Sequence, residues 1–148
     1  MSLKFLAFTV LIVSLICCDE PPRSAKNHSA SNPDALGCYR YANERDTFHL
    51  KVIITDSLLT GSLVYDFGEK DKSEGIIRGQ LKGDLLLADY TYRSEGTQST
   101  RQVVFKYSSD TFTEGHGPTE MQNGKMVFSN IDSLYFSNAI IFRKLNCE

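Results

Sequence analysis

The sequence contains no tryptophan, only four prolines and no excess of basic residues. Its 16 Lys and Arg residues are balanced by 18 Asp and Glu residues, with both signs interspersed and a formal net charge of −2. Proteins that neutralise nucleic-acid phosphates carry a basic stripe or patch, so nucleic acid is not an expected partner. No apolar run reaches the ~20 residues of a membrane-spanning helix.

The usual signatures of catalysis and metal binding are also missing. The three histidines, His28, His49 and His116, have no second ligand at metal-binding spacing on a common face. No Gly-x-Ser-x-Gly elbow is present. We therefore predict neither enzymatic activity, nor a metal, nor a cofactor. The enzymatic alternative would pair Glu114 with His116, in a glycine-flanked loop, as acid and base.

The first 18 residues have the character of a targeting segment. Lys4 provides a positive charge, and residues 5–16 form an apolar run broken only by Thr9 and Ser14. Such a run has the length of a signal-peptide core. It ends in Leu-Ile-Cys-Cys at residues 15–18.

That ending resembles the lipobox of bacterial lipoproteins, although Cys17 stands where a smaller residue is usual. The resemblance implies cleavage after residue 17 and acylation of Cys18, which would anchor the protein to a membrane. Asp19 and Glu20 follow directly. In Bacteroidota-type lipoproteins such acidic residues accompany display at the cell surface, which favours the outer membrane, whereas in enteric bacteria Asp after the cysteine implies retention in the inner membrane. A plain signal peptide or an anchor helix is the alternative. Residues 18–36, with three prolines and no apolar periodicity, are predicted to form a flexible tether.

Two cysteines remain after this assignment, Cys38 and Cys147, near the two ends of the predicted domain at residues 37–148. Export places them in an oxidising compartment, where two remaining cysteines usually pair. The alternative is two buried free thiols. A disulfide would require the first and last strands to be neighbours.

Period-2 alternation of apolar and polar residues, interrupted by short polar turns, predicts an all-β domain. Because a disulfide would bring the chain ends together, we expect an antiparallel up-and-down β-barrel of the lipocalin (calycin) or streptavidin class, with a two-sheet sandwich as the alternative. Gly61 and Gly79 lie on apolar faces, where a coiled sheet needs bends. The predicted strands cover residues 37–43, 47–55, 58–67, 76–82, 85–93, 98–107, 111–115, 120–122, 125–129 and 139–146, with a short strand or helical turn near 134–136.

The domain also resembles small lipoproteins of Bacteroidota-type bacteria over residues 37–148. The motifs that carry this resemblance are Gly-Cys-Tyr at 37–39, Ser-Glu-Gly at 94–96, Glu-Gly-His-Gly at 114–117 and the terminal cysteine. The resemblance implies a location and a fold but no activity.

Charged residues share strand faces with apolar residues in the middle of the chain. Arg101 alternates in phase with Val103 and Phe105, and Glu114 with Phe112. A charge inside a barrel needs a partner, so Arg101 could pair with Glu114 or Glu95 and fill one end. The functional alternative is a cavity that recognises an acidic or aromatic ligand. Its candidate residues are Arg101, Glu114, Tyr65, Tyr90, Tyr92 and Tyr107.

These observations support two leading hypotheses. The first is a lipid-anchored envelope protein, without enzymatic activity, that binds a small ligand in or at the mouth of its barrel. The second is a structural or protein-interaction module of the cell envelope.

Overall fold

The computed structural model describes residues 33–55, 58–69 and 72–147. The predicted signal peptide, Cys18 and most of the predicted tether lie outside the described residues. Within these ranges, no helix has the length and apolar character needed to cross a membrane.

Alternating sequence patterns become strands almost where they are predicted. The second strand has the predicted bounds. The fourth strand begins at Lys72, four residues before its predicted start at residue 76. There, Ser73 faces inward and the charged Lys72 and Glu74 form an ion pair of 3.0 Å on the outside, so the polar sequence still alternates. The described strands are β1 (Gly37–Ala42), β2 (Thr47–Thr55), β3 (Leu58–Asp66), β4 (Lys72–Lys82), β5 (Leu85–Ser94), β6 (Thr97–Ser108), β7 (Thr111–His116), β8 (Thr119–Gln122), β9 (Lys125–Phe128) and β10 (Tyr135–Leu145).

Eight of these strands close into an antiparallel barrel. Strands β1 to β7 pair in sequence, and β10 lies between β7 and β1. The predicted up-and-down barrel is therefore confirmed, and the two-sheet sandwich is not formed. Near residues 134–136, a 3₁₀ turn, Ile131–Ser133, ends at Leu134, and β10 begins at Tyr135. Strand β10 has a register irregularity between Phe136 and Ile141.

The core consists of the inward-facing side chains of all eight strands. Aromatic residues dominate it, and Phe105, Phe112 and Phe142 are 0% exposed. Inward-facing Gly61 and Gly79 are required because a Cβ atom at either position would overlap a carbonyl oxygen of the adjacent strand, Lys51 and Leu87 respectively. The two glycines therefore mark places where the adjacent strand approaches too closely for a side chain.

One end of the barrel is closed by a 3₁₀ turn, Pro33–Ala35, that was predicted to belong to the tether. Ala35 is completely buried in the core. Its carbonyl accepts a hydrogen bond of 2.9 Å from the Tyr39 hydroxyl, and the Asp34 carbonyl accepts one of 3.0 Å from Tyr107. Residues 33–35 therefore belong to the barrel and not to the predicted tether, because the carbonyls of the turn accept hydrogen bonds from two buried hydroxyls.

The first and last strands of the barrel are joined covalently. Cys38 and Cys147 form the predicted disulfide, with an S–S distance of 2.05 Å and Cα atoms 5.2 Å apart. Cys38 also pairs with Leu145 in the antiparallel β1–β10 ladder. The bridge therefore lies at the place where the barrel closes.

The β8–β9 hairpin lies on the outside of the barrel. Its turn, Asn123–Gly124, has positive φ at both residues (53° and 77°), as the Asn-Gly sequence predicts. The hairpin contacts β6 through a single parallel pair, Arg101 with Met126, and its inner residue Val127 is buried. The hairpin thus covers part of the outer face of β6 without entering the barrel.

Candidate functional site: the polar mouth of the barrel

The end of the barrel opposite the 3₁₀ turn contains a cavity of about 290 Å³ that is partly open to solvent. Five of the six residues predicted to bind a ligand line it: Tyr65 from β3, Tyr90 and Tyr92 from β5, Arg101 from β6 and Glu114 from β7. Alternation places all five side chains on the inner face of the barrel. The sheet register brings them to the same end, with Tyr90 directly opposite Arg101. We call this cavity the mouth site.

Arg101 lies among the aromatic rings of the mouth site. Its guanidinium carbon is 5.2 Å from the ring centre of Tyr65, 5.7 Å from that of Tyr90 and 5.9 Å from that of Tyr92. These are cation–π distances, and such contacts stabilise a partly desolvated cation by about 0.5–2 kcal/mol. The guanidinium Nε is buried and has no hydrogen-bond partner. The tyrosine rings therefore contact the guanidinium cation, but its Nε–H group has no acceptor among the described residues.

Glu114 is the buried carboxyl group of the site, with only 7% of the residue exposed. The Tyr65 hydroxyl donates a 2.7 Å hydrogen bond to Oε1, whereas Oε2 is buried without a partner. Burial raises the pKa of Glu114, against the opposing effects of the Tyr65 hydrogen bond and of the charges of Arg101 and His116. Burial and the neighbouring carboxyl group also raise the pKa of Tyr65. The site consequently favours the neutral form of Glu114.

The proposed structural plug, an ion pair between Arg101 and Glu114, is not formed. Within the described ranges the structure contains four ion pairs, and none of them joins these two residues. Glu95, the other partner considered, lies in the turn between β5 and β6. The mouth site therefore holds a cation and a carboxyl group that influence each other electrostatically without direct contact.

Three buried polar atoms lack hydrogen-bond partners among the described residues: Tyr90 Oη, Arg101 Nε and Glu114 Oε2. All three belong to residues that line the mouth site. Leaving such a group unsatisfied costs about 1–3 kcal/mol, and here all three groups belong to residues around one cavity.

The sixth predicted residue, Tyr107, does not join this group. It shares the inner face of β6 with Arg101 but lies six residues further on, about 20 Å along the strand. Its hydroxyl is 3.0 Å from the Asp34 carbonyl oxygen and 3.2 Å from the Asp110 carboxylate, at the closed end. Alternation predicts that Tyr107 lies on the inner face of its strand, but not how far along the barrel axis it lies. The sequence pattern therefore grouped Tyr107 with residues at the opposite end of the barrel.

The rest of the wall of the mouth site was not predicted as binding residues. Phe48, Phe67 and Ile140 make it partly apolar, and Ser73 and His116 add polar groups. Ser73 lies outside the predicted strands, because its charged neighbours Lys72 and Glu74 delay the predicted start of the fourth strand to residue 76. The only sequence signal that it faces the barrel is its alternation with Gly75 and Ile77.

His116 lies at the rim of the mouth site, two residues after Glu114. Its ring centre is 5.8 Å from that of Tyr135, which is 60% exposed. Within the described part of the chain, no hydrogen bond joins His116 to Glu114, and no group of three or more His, Cys, Asp or Glu residues is arranged to hold a metal ion. The geometry therefore provides no positive support for an acid–base pair.

Comparison with known proteins yields no relative: no family model, no curated protein and no solved structure matches the chain.

Proposed function

We propose that this protein is a lipid-anchored component of the bacterial cell envelope whose barrel binds a small ligand in the mouth site. The observation that carries the proposal is that the three residues with unpartnered buried polar atoms, Tyr90, Arg101 and Glu114, all line one partly open cavity. Binding sites combine an apolar wall with a few convergent polar groups. The proposed role is binding rather than catalysis.

The location rests on the sequence, because residues 15–18 and the acidic pair that follows resemble an outer-membrane lipoprotein signal. The Cys38–Cys147 disulfide is compatible with a compartment outside the cytoplasm. Metabolic labelling with radioactive palmitate tests the anchor. The protein should be labelled and membrane-bound, whereas a Cys18→Ala variant should be unlabelled and released. Equal labelling of both proteins would disprove acylation at Cys18.

A mixed library of small neutral, anionic and cationic compounds tests ligand binding, with ligand-observed NMR as the measurement. Ser73→Tyr is a suitable blocking variant because Ser73 lines the cavity and is half-buried. Ser108→Tyr is its matched control, since Ser108 is exposed at the other end of the barrel. A compound that binds the parent protein and the control but not the blocked variant supports the proposal. A library without any such compound would count against ligand binding in the mouth site.

The accessory-module alternative is favoured by a different feature. An outer groove of about 500 Å³ lies between β4, β5 and the residues near the β8–β9 hairpin, with Leu85, Leu87 and Ile131 in its wall. Such a groove could receive a protein segment. Loss of a cross-linked envelope partner in a Leu87→Glu variant, with unchanged ligand binding, would favour this function.

A further inference from the structure

We infer that the ligand of the mouth site is a small organic carboxylate with an aromatic or branched apolar group. This inference rests on the proposed ligand-binding function. It adds the charge, the polar group and the approximate size of the ligand, which the proposed function leaves unspecified.

The charge of the ligand follows from Arg101. Its guanidinium is held by three tyrosine rings and forms no ion pair with the nearest buried carboxyl group. An anion in the cavity would provide the missing countercharge. A cation would be repelled by Arg101 in the same small space, where water screens charges less than at the surface.

The polar group of the ligand follows from the hydrogen-bonding capacity of the orphan atoms. Arg101 Nε can only donate, and the Tyr90 hydroxyl can donate as well. Oε1 of Glu114 already accepts a hydrogen bond from Tyr65, and burial raises the pKa of the carboxyl group; when Glu114 is protonated, the proton would reside on Oε2 and make it a third donor. Three donors around one cavity match a group that has only acceptors. A carboxylate has two such oxygens and about four acceptor positions.

The size of the ligand follows from the cavity. Its 290 Å³ is at the lower limit for pockets that hold drug-sized molecules. At about 30 Å³ for each water-sized group, it holds roughly ten such groups. Phe48, Phe67 and Ile140 line the part of the wall that lacks hydrogen-bonding side chains. An aromatic ring or a branched alkyl group therefore fits beside them.

The role of Glu114 predicts how binding changes with pH. A ligand anion can accept a hydrogen bond from the protonated Oε2 of neutral Glu114. The ionised carboxylate has no proton to donate and repels the anion. Binding should therefore weaken as the pH rises through the raised pKa of Glu114. Titratable or charged groups near it are Arg101 (β6), Tyr65 (β3), Tyr90 and Tyr92 (β5), His116 (β7) and, exposed and paired with Lys72, Glu74 (β4).

Three compounds of nearly equal shape test the inference: 3-phenylpropanoate, 3-phenylpropanamide and 3-phenylpropylamine. The full mature chain is used, with Cys18→Ala to keep it free of lipid, and binding is followed through the side-chain Nε–H signal of Arg101 in NMR titrations. The carboxylate should bind at least about tenfold more tightly than the amide, since charge-assisted hydrogen bonds contribute ~1.5–3 kcal/mol. The amine should not bind.

Variants separate the two polar partners. Arg101→Gln should weaken carboxylate binding by at least about tenfold, and Arg101→Lys, which keeps the charge but loses the planar fork, should recover part of it. Glu114→Gln keeps a donor at the Oε2 position, so it should bind the carboxylate with an affinity that no longer falls as the pH rises above the ordinary pKa of a glutamate. His116→Gln is the control, because His116 also lines the cavity; the pH dependence should survive in this variant.

The results distinguish the inference from the function on which it rests. Equal or tighter binding of the amide or the amine would overturn the inference and leave ligand binding intact. The same holds if none of the three compounds binds while the mixed library contains a neutral or cationic binder sensitive to Ser73→Tyr. If none of the three binds and the library contains no binder of any charge that is sensitive to Ser73→Tyr, both fail. A flat pH profile of the parent protein would overturn the role assigned to Glu114.

Discussion

Removal of the Cys38–Cys147 disulfide is the perturbation whose effect can be calculated most directly. The bridge closes a loop with a sequence separation of 109 residues, almost the whole folded part. In the chain-entropy model, a loop of about this length lowers the free energy of folding by about 4.7 kcal/mol, because it restricts the unfolded chain. A domain of this size is stable by only 5–15 kcal/mol. We therefore expect a Cys38→Ser/Cys147→Ser variant to lose a large part of its stability.

The local structure adds a second consequence of the same change. The β1–β10 ladder next to the bridge contains three paired positions, whereas β5 and β6 are paired at ten. This short seam completes the barrel, so it should fray first once the covalent link is gone. Hydrogen exchange in β1 and β10 should increase more than in β5 and β6.

Urea denaturation of the double variant and of the parent protein measures the effect. At about 4 °C per kcal/mol, the midpoint of thermal unfolding should also fall by roughly 15–20 °C. The denaturant m-value should rise because the unfolded chain without the bridge is more extended. Reduction of the parent protein should reproduce these changes. A loss below about 1 kcal/mol with an unchanged native structure would refute the calculation, since it would mean that the unfolded chain is already compact.

Three further substitutions test other parts of the structure. Tyr107→Phe removes the hydroxyl that donates to the Asp34 carbonyl. It should lower the free energy of unfolding by about 0.5–1.5 kcal/mol in urea denaturation, without any change in ligand binding. A loss of ligand binding would place Tyr107 in the mouth site. Glu114→Gln should gain stability relative to the parent protein as the pH rises above the ordinary pKa of a glutamate, because folding raises the pKa of Glu114 and its ionisation therefore destabilises the native state. Melting curves with parallel pH dependence would contradict this sign. Gly79→Ala should destabilise the barrel by more than about 1 kcal/mol because its Cβ would overlap the Leu87 carbonyl oxygen, and an unchanged melting temperature would show that the sheet can adjust.

Most of the fold could be predicted from the sequence because strand alternation depends on local patterns. The second strand, the Asn-Gly hairpin and the pairing of the two cysteines all follow from such patterns or from elimination. The 3₁₀ turn at Pro33–Ala35 was missed because its order depends on distant hydroxyls, above all that of Tyr107. The start of β4 was missed because its charged residues conceal the alternation.

The candidate site could be predicted in part. The inward orientation of Arg101 and Glu114 follows from their phase with apolar neighbours, and five of the six predicted residues line one cavity. The sequence could not decide whether the two charged residues touch, because their separation depends on the tilt and radius of the closed barrel. Nor could it distinguish Tyr107 from the tyrosines of the mouth site, since depth depends on how the strands are staggered.

The contrast between the two barrel ends leads to a final prediction. At the closed end, the buried hydroxyls bond to backbone carbonyls, whereas the mouth site keeps unpartnered atoms on Arg101 and Glu114. If these residues served stability alone, apolar residues of similar volume would serve it better, because buried charged groups are often replaced with a gain of about 1–4 kcal/mol. We therefore expect an Arg101→Met/Glu114→Leu variant to unfold at a higher urea concentration than the parent protein while it loses carboxylate binding. A variant that is less stable by 1 kcal/mol or more would show that the polar pair supports the fold, and the case for a ligand would lose its main physical argument.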